Sequence, residues 1–161
     1  MQESVLIVGA GSGLSESIAR LCSSKRMKVV LAARDINKLK KLKKEISADT
    51  IKCDSTNIKS VSNLFKKVDQ IIGTPNLVIY NPSKSLGGNI ADIDPKKAHE
   101  ALNVSCYGGF LVAQQAAKRM LKKKTWKYLF YWCYRKRERF FKLICFCNGQ
   151  VWPKRVGSII G

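Results

Sequence analysis

A layered α/β fold, with a parallel sheet covered by helices on both faces, is what the sequence predicts. Three features carry that expectation. Three short runs rich in Val, Ile and Leu lack polar alternation, as strands buried on both faces do, and a brief fourth run lies between the second and the third of them. Between them lie stretches whose apolar residues recur at helical spacing. A glycine-rich turn joins the first run to the first helix, where a buried parallel strand has to reverse direction.

Taken in order, "SVLIVGA" is a buried strand ending in glycines, and "LSESIARLCSSK" follows with Leu14, Ile18, Leu21 and Cys22 on one helical face. "MKVVLAAR" is a second buried strand. In "DINKLKKLKKEI" the apolar residues Ile36, Leu39, Leu42 and Ile46 take one side, which leaves the lysines mostly in water. "DTIKCD" is a brief third strand. Asn57 caps a helix striped by Val61, Leu64, Phe65, Val68, Ile71 and Ile72, closed by Gly73 and Pro75. "NLVIYN" is the fourth strand. Asp94 then caps a long helix, with Pro95 at its first position, running to about Leu121. Strictly alternating strands and helices demand right-handed crossovers and a doubly wound sheet.

Composition divides the chain near Lys123. The formal charge is +19 over 161 residues, which favours contact with phosphates and anionic surfaces. From Lys123 onward there are ten Lys/Arg against one acid, Glu138, and all three Trp lie there. Two regions are therefore expected: an α/β domain over residues 1–122 and a basic aromatic tail over 123–161. The cysteines lack paired metal-ligand or disulfide-framework spacing, so no metal site is expected. No apolar run reaches the roughly 20 residues needed to span a bilayer. No leader-like segment precedes the first strand, so the expected compartment is the cytoplasm.

The turn Gly9–Ser15, "GAGSGLS", carries the most chemistry. Glycines at a strand-to-helix turn let backbone N–H groups approach a diphosphate, and the helix dipole favours the anion. A tight structural turn without ligand is the plainer alternative. The turn resembles the Thr-Gly-x-x-x-Gly-x-Gly of the short-chain dehydrogenase/reductase family, with Gly9 and Gly13 in register. Val8 replaces the Thr and Ser15 the last Gly; a hydroxyl at Ser15 is placed to donate to a phosphate oxygen. The resemblance covers roughly residues 4 to 122 and implies a Rossmann-like sheet, truncated here after about four to five strands. It also implies a dinucleotide cofactor, held at Gly9, Gly11, Ser12, Gly13 and Leu14.

Further landmarks follow in order. Arg34, ending the second strand in "AARD", resembles the arginine that meets the ribose 2′-phosphate in NADP-preferring members, so NADP (or NAD) is expected. A solvated strand-end charge is its other reading. Asp54 in "KCDSTN" matches the family's aspartate near the adenine, or simply feeds the helix start at Asn57. Asn81 in "YNPS" matches the Asn-Ala-Gly segment, with Pro82 and Ser83 departing from it. Asn103 in "ALNVSCYGG" matches the helix asparagine of the family's Asn-Ser-Tyr-Lys tetrad, whose role is to hold a water behind the lysine; satisfying a backbone kink is the alternative.

Carbonyl reduction of this type also needs a Ser, a Tyr and a Lys, the last two as Tyr-x-x-x-Lys. That pattern does not occur after Lys123. Re-reading the tail codons from their second base turns every Trp into Gly and every Cys into Ala or Val. Permitted readings from Thr125 through Lys136 and from Ile144 onward then resemble the family's fifth strand and its lysine-bearing helix. In that frame Gln150 gives Lys or Arg, while Phe146 cannot give Tyr. The expectation is an out-of-frame tail on a catalytically defective remnant that still binds dinucleotide. The whole relative's partner would be a small carbonyl or alcohol, with no specific nucleic acid. The alternative is a binding protein whose basic aromatic tail meets RNA or an anionic membrane. "YLFYW", Tyr128 to Trp132, is the β-prone segment nominated as a makeshift fifth strand beside the exposed edge of the fourth, and marginal stability with self-association is expected.

Overall fold

The structure, a computed structural model, describes residues 2–123 in full and, beyond them, the backbone of three short strands. The rest of the tail, with Trp126, Trp132 and the segment after Pro153, lies outside the described residues.

Strand β1 (Ser4–Val8) is buried along its whole length, as its unbroken apolar sequence requires. Helix α1 (Leu14–Ser24) leads to β2 (Lys28–Ala33). A 3₁₀ turn (Asn37–Leu39) and α2 (Lys40–Ile46) lead to β3 (Asp49–Lys52). Helix α3 (Ile58–Ile71) begins where the Asn57 side chain accepts from the Ser60 amide, the cap the sequence predicts. Gly73, at φ +68°, lets the chain leave the helix toward β4 (Leu77–Tyr80). Asp94 caps α4 (Pro95–Leu102) by accepting from the Lys96 amide, with Pro95 at the first turn.

The predicted single long helix differs from the one observed. Between α4 and α5 (Gly108–Lys123) the chain winds as a π-helix over Asn103–Tyr107. One extra residue per turn is accommodated there, so the two halves are rotated relative to one another.

Strands run in the order β3-β2-β1-β4-β5, all parallel, with β5 (Tyr128–Tyr131) beside β4 in the register Leu77–Tyr128 to Tyr80–Tyr131. The edge of β4 is therefore covered by the segment the sequence nominates for it. Strands β6 (Ile144–Cys147) and β7 (Gln150–Pro153) pair antiparallel in a separate ribbon.

Alternation along each strand divides the core in two. Leu6, Val8, Val30, Val78 and Tyr80 face α3 and α5, against Phe65, Val68, Val112 and Met120. Val5, Ile7, Val29, Leu31 and Ile79 face the other way, against Ala19, Cys22, Leu39 and Leu42. Helix α1 meets the sheet through Ser15, Ala19 and Cys22; Leu14 and Leu21, placed by the sequence in its buried stripe, are 43% and 56% exposed. Small residues let the helix axis approach the strands closely, and that packing outweighs the burial of two leucines. Among the described residues, no helix is long and apolar enough to cross a membrane.

Candidate functional site

The strand order reverses between β1 and β4. From β1 the chain moves outward to β2 and β3, and it then returns to start β4 on the other side. A crevice opens outside the carboxyl ends of two such strands because their connections depart in opposite directions. Residues Gly9–Ser15 follow β1 and Asn81–Ser83 follow β4, so the sequence-nominated groups converge on that crevice.

Gly9 adopts φ +81° and Gly13 φ +93°, both in the region that side chains avoid. Gly13 is the N-cap of α1, and its carbonyl accepts from the Ser17 amide at 3.0 Å. A Cβ added at Gly11 or Gly13 would meet nothing within 4 Å. Ser12, Gly13 and Leu14 are exposed. The turn is thus an open cradle at a helix N-terminus, with room and polarity suited to an anionic group.

Ser15 is different. The residue is 2% exposed, and its hydroxyl lies 3.1 Å from the Gly9 carbonyl oxygen and 2.6 Å from Asn81 Nδ2. A carbonyl can only accept, so the serine proton goes to Gly9 and the Asn81 amide donates into the serine oxygen. Contrary to the sequence expectation, that proton is committed within the fold and is not offered to a phosphate.

Arg34 is exposed at the end of β2, and among the described residues it has no ion-pair partner. Its neighbour Asp35 accepts the Asn37 amide at 3.0 Å and forms no ion pair with the arginine among the described residues. Asp54 builds the start of α3: Oδ1 accepts from the Thr56 amide and hydroxyl at 3.0 and 2.8 Å. The helix-start reading of Asp54 is therefore realised. Asn81 serves the turn twice, through Ser15 and through its own amide, which donates to the Val8 carbonyl at 2.8 Å.

Asn103 begins the π-helix. Its carbonyl accepts from the Gly108 amide, and its half-buried side chain makes no hydrogen bond among the described residues. What holds this turn was not among the sequence expectations. Tyr80, buried at the end of β4, donates its phenol proton to the Val104 carbonyl, and Ser55 Oγ lies 3.1 Å from the phenol oxygen. With the proton spent on Val104, Ser55 supplies the second hydrogen bond. Burial pushes the phenol pKa up to about 12. Gly108 passes directly over this cluster: an added Cβ would strike the Tyr80 hydroxyl and lie 3.0 Å from the Ser55 carbonyl. The signal for it was a pair of glycines inside a helix, costly without a packing reason, together with a tyrosine at the end of a continuous apolar strand. The loop after β4 reaches the same turn, with the Lys84 amide 3.3 Å from Ser105 Oγ and the Lys84 ammonium paired to Glu100.

The family model for short chain dehydrogenases matches residues 3–126. The chain belongs to the short chain dehydrogenase family. An uncharacterized oxidoreductase of Staphylococcus aureus (strain USA300) is 32% identical over 123 residues, 74% of this chain and 53% of that protein. This dehydrogenase-family chain spans about half the length of the curated relatives it matches. Among solved structures it is similar to an actinorhodin polyketide ketoreductase with NADPH, at 26% identity and a TM-score of 0.74, covering 78% of this chain and 51% of that one. ElxO with NADP bound shares the fold at 20% identity and a TM-score of 0.73, covering 78% and 53%.

Proposed function

We propose that the chain binds a nicotinamide dinucleotide, NADP in preference to NAD, across the β1–β4 crevice. The observation that carries this reading is the turn itself: positive-φ glycines at positions 9 and 13, open space above Gly11 and Gly13, and a helix N-terminus behind them. In this assignment the backbone of Gly9, Gly11, Ser12, Gly13 and Leu14 holds the diphosphate. Arg34 meets the ribose 2′-phosphate, since it is exposed and, among the described residues, without an acidic partner, while Asp35 accepts an amide of its own loop. Asp54 lines the adenine side and Asn81 steadies the turn. When bound, the cofactor would supply or accept a hydride.

In the whole relatives, the reaction consistent with this site is hydride transfer between the nicotinamide and a small carbonyl or alcohol. Of the residues that chemistry needs, this chain offers Asn103, and no Tyr-x-x-x-Lys occurs between residues 123 and 161. The proposal is that residues 1–122 act as a cofactor-binding domain, that the 123–161 segment is an out-of-frame tail, and that the chain by itself does not turn over. Its expected compartment is the cytoplasm.

Thermal shift with NADPH against NADH tests the binding claim. NADPH should raise the melting temperature more than NADH, and Arg34→Ala should weaken NADPH by about tenfold, or 1.4 kcal/mol, while leaving NADH unchanged. Equal shifts for both cofactors would remove the NADP preference, and no shift with either would remove the function. The codons after Lys123 test the tail.

A further inference from the structure

The chain departs from its family's pattern at Ser15 and at Pro82, and the two departures meet at one residue. Ser15 Oγ donates to the Gly9 carbonyl at 3.1 Å. The Pro82 ring and its nitrogen lie 2.5 Å from where a Gly9 Cβ would stand. Between them Asn81 donates its side-chain amide to Ser15 Oγ at 2.6 Å and its backbone amide to the Val8 carbonyl at 2.8 Å. On the far side of the same peptide unit, the Ala10 amide donates to the Ala32 carbonyl at 3.0 Å. The Gly9–Ala10 peptide plane is therefore tied at both its C=O and its N–H.

We propose that Ser15, Asn81 and Pro82 form a latch that fixes the Gly9–Ala10 peptide, making Ser15 a positioning residue for the dinucleotide turn. The inference rests on the dinucleotide reading above. Its physical content is a choice between two orientations of one peptide. Glycine at φ +81° allows that plane to rotate with little steric resistance, so something else has to select the orientation. A carbonyl held by Ser15 is not free to turn toward an anion seated on the same turn, where its negative end would repel phosphate. Because Ser15 is buried, losing its hydroxyl would leave the Gly9 carbonyl without that hydrogen bond inside the fold. One hydroxyl thus links the end of β1, the first turn of α1 and the end of β4.

The test uses the full chain and NADPH titration by fluorescence, with Ser15→Ala, Asn81→Ala and the double variant. Ser15→Ala should weaken NADPH about tenfold. The double variant should bind no worse than the weaker single, because either change opens the same latch. Binding within twofold of wild type for Ser15→Ala, or losses that multiply in the double variant, would overturn the proposal. A second measurement needs no variant and no ligand: amide hydrogen exchange at Ala10 and at the Asn81 side chain. Both should exchange as slowly as β1, and rapid exchange at either would overturn the latch. Should the unaltered chain fail to bind NADPH and NADH, the dinucleotide reading falls, while slow exchange at those two groups would still establish the tie itself.

Discussion

Two glycines sit where the chain bends away from regular geometry, and each is pressed by a residue from the end of β4. Gly9 lies against Pro82 at the glycine turn, and Gly108 lies against Tyr80 where the π-helix ends. The reasons differ. Gly9 has φ +81° and meets backbone as well as ring atoms, so both its conformation and its neighbour exclude a side chain. Gly108 has ordinary helical dihedrals, φ −60° and ψ −39°, and is excluded by proximity alone. The first glycine is demanded by the path of the backbone; the second is demanded by a side chain elsewhere. A conformational requirement is local and readable from a motif, whereas a proximity requirement depends on which residue the fold delivers.

The largest effect should therefore fall on Gly9→Ala. A strained dihedral and an unrelieved backbone clash together cost about 3 kcal/mol or more. Urea unfolding measures it, and Pro82→Ala should give back only part, because the Pro82 nitrogen also lies at 2.5 Å. A loss below about 1 kcal/mol would mean the turn relaxes freely, and the contrast with Gly108 would collapse.

Gly108→Ala should cost less, about 2 kcal/mol, by overpacking alone. Its loss should shrink in a Tyr80→Phe background, where the phenol oxygen it strikes is gone. The residual cost would come from the Ser55 carbonyl at 3.0 Å. Additive losses in that pair would show that the helix moves as a unit and that Tyr80 does not set its height above the sheet.

That contrast also explains what the sequence disclosed. The four strands, three of them buried, the Asn57 and Asp94 caps and the Gly9–Gly13 turn are local patterns, and each stands where the sequence placed it; the edge strand β3 buries only Ile51. The buried face of α1 was misread because close approach to the sheet favours Ser15, Ala19 and Cys22 over larger Leu14 and Leu21. At Asn103 the sequence offered a backbone kink as one reading, but not the π winding that begins there. Nothing in Asn103–Tyr107 breaks a helix; the Val104 carbonyl is claimed by Tyr80, 24 residues earlier. Likewise the role of Ser15 was out of reach, since its partner Asn81 lies 66 residues away. Long-range hydrogen bonds to single backbone groups leave no periodic trace.

The last predicted effect isolates the Tyr80 phenol by its titration. In the unfolded chain a tyrosine ionises near pH 10, whereas burial holds this phenol protonated up to about pH 12. Between those values the folded state keeps a proton that the unfolded state has lost, so stability falls as pH rises. Below about pH 10 both states are protonated and the contribution is complete. Tyr80→Phe should remove this alkaline slope while leaving unfolding at lower pH offset by a constant amount, the lost bond to Val104. Unfolding midpoints measured from pH 8 to pH 12 in both proteins decide it. An identical slope in the phenylalanine variant would assign the titration to another group. It would also reduce the cluster under Gly108 to simple packing, with no hydrogen bond holding the π-helix in place.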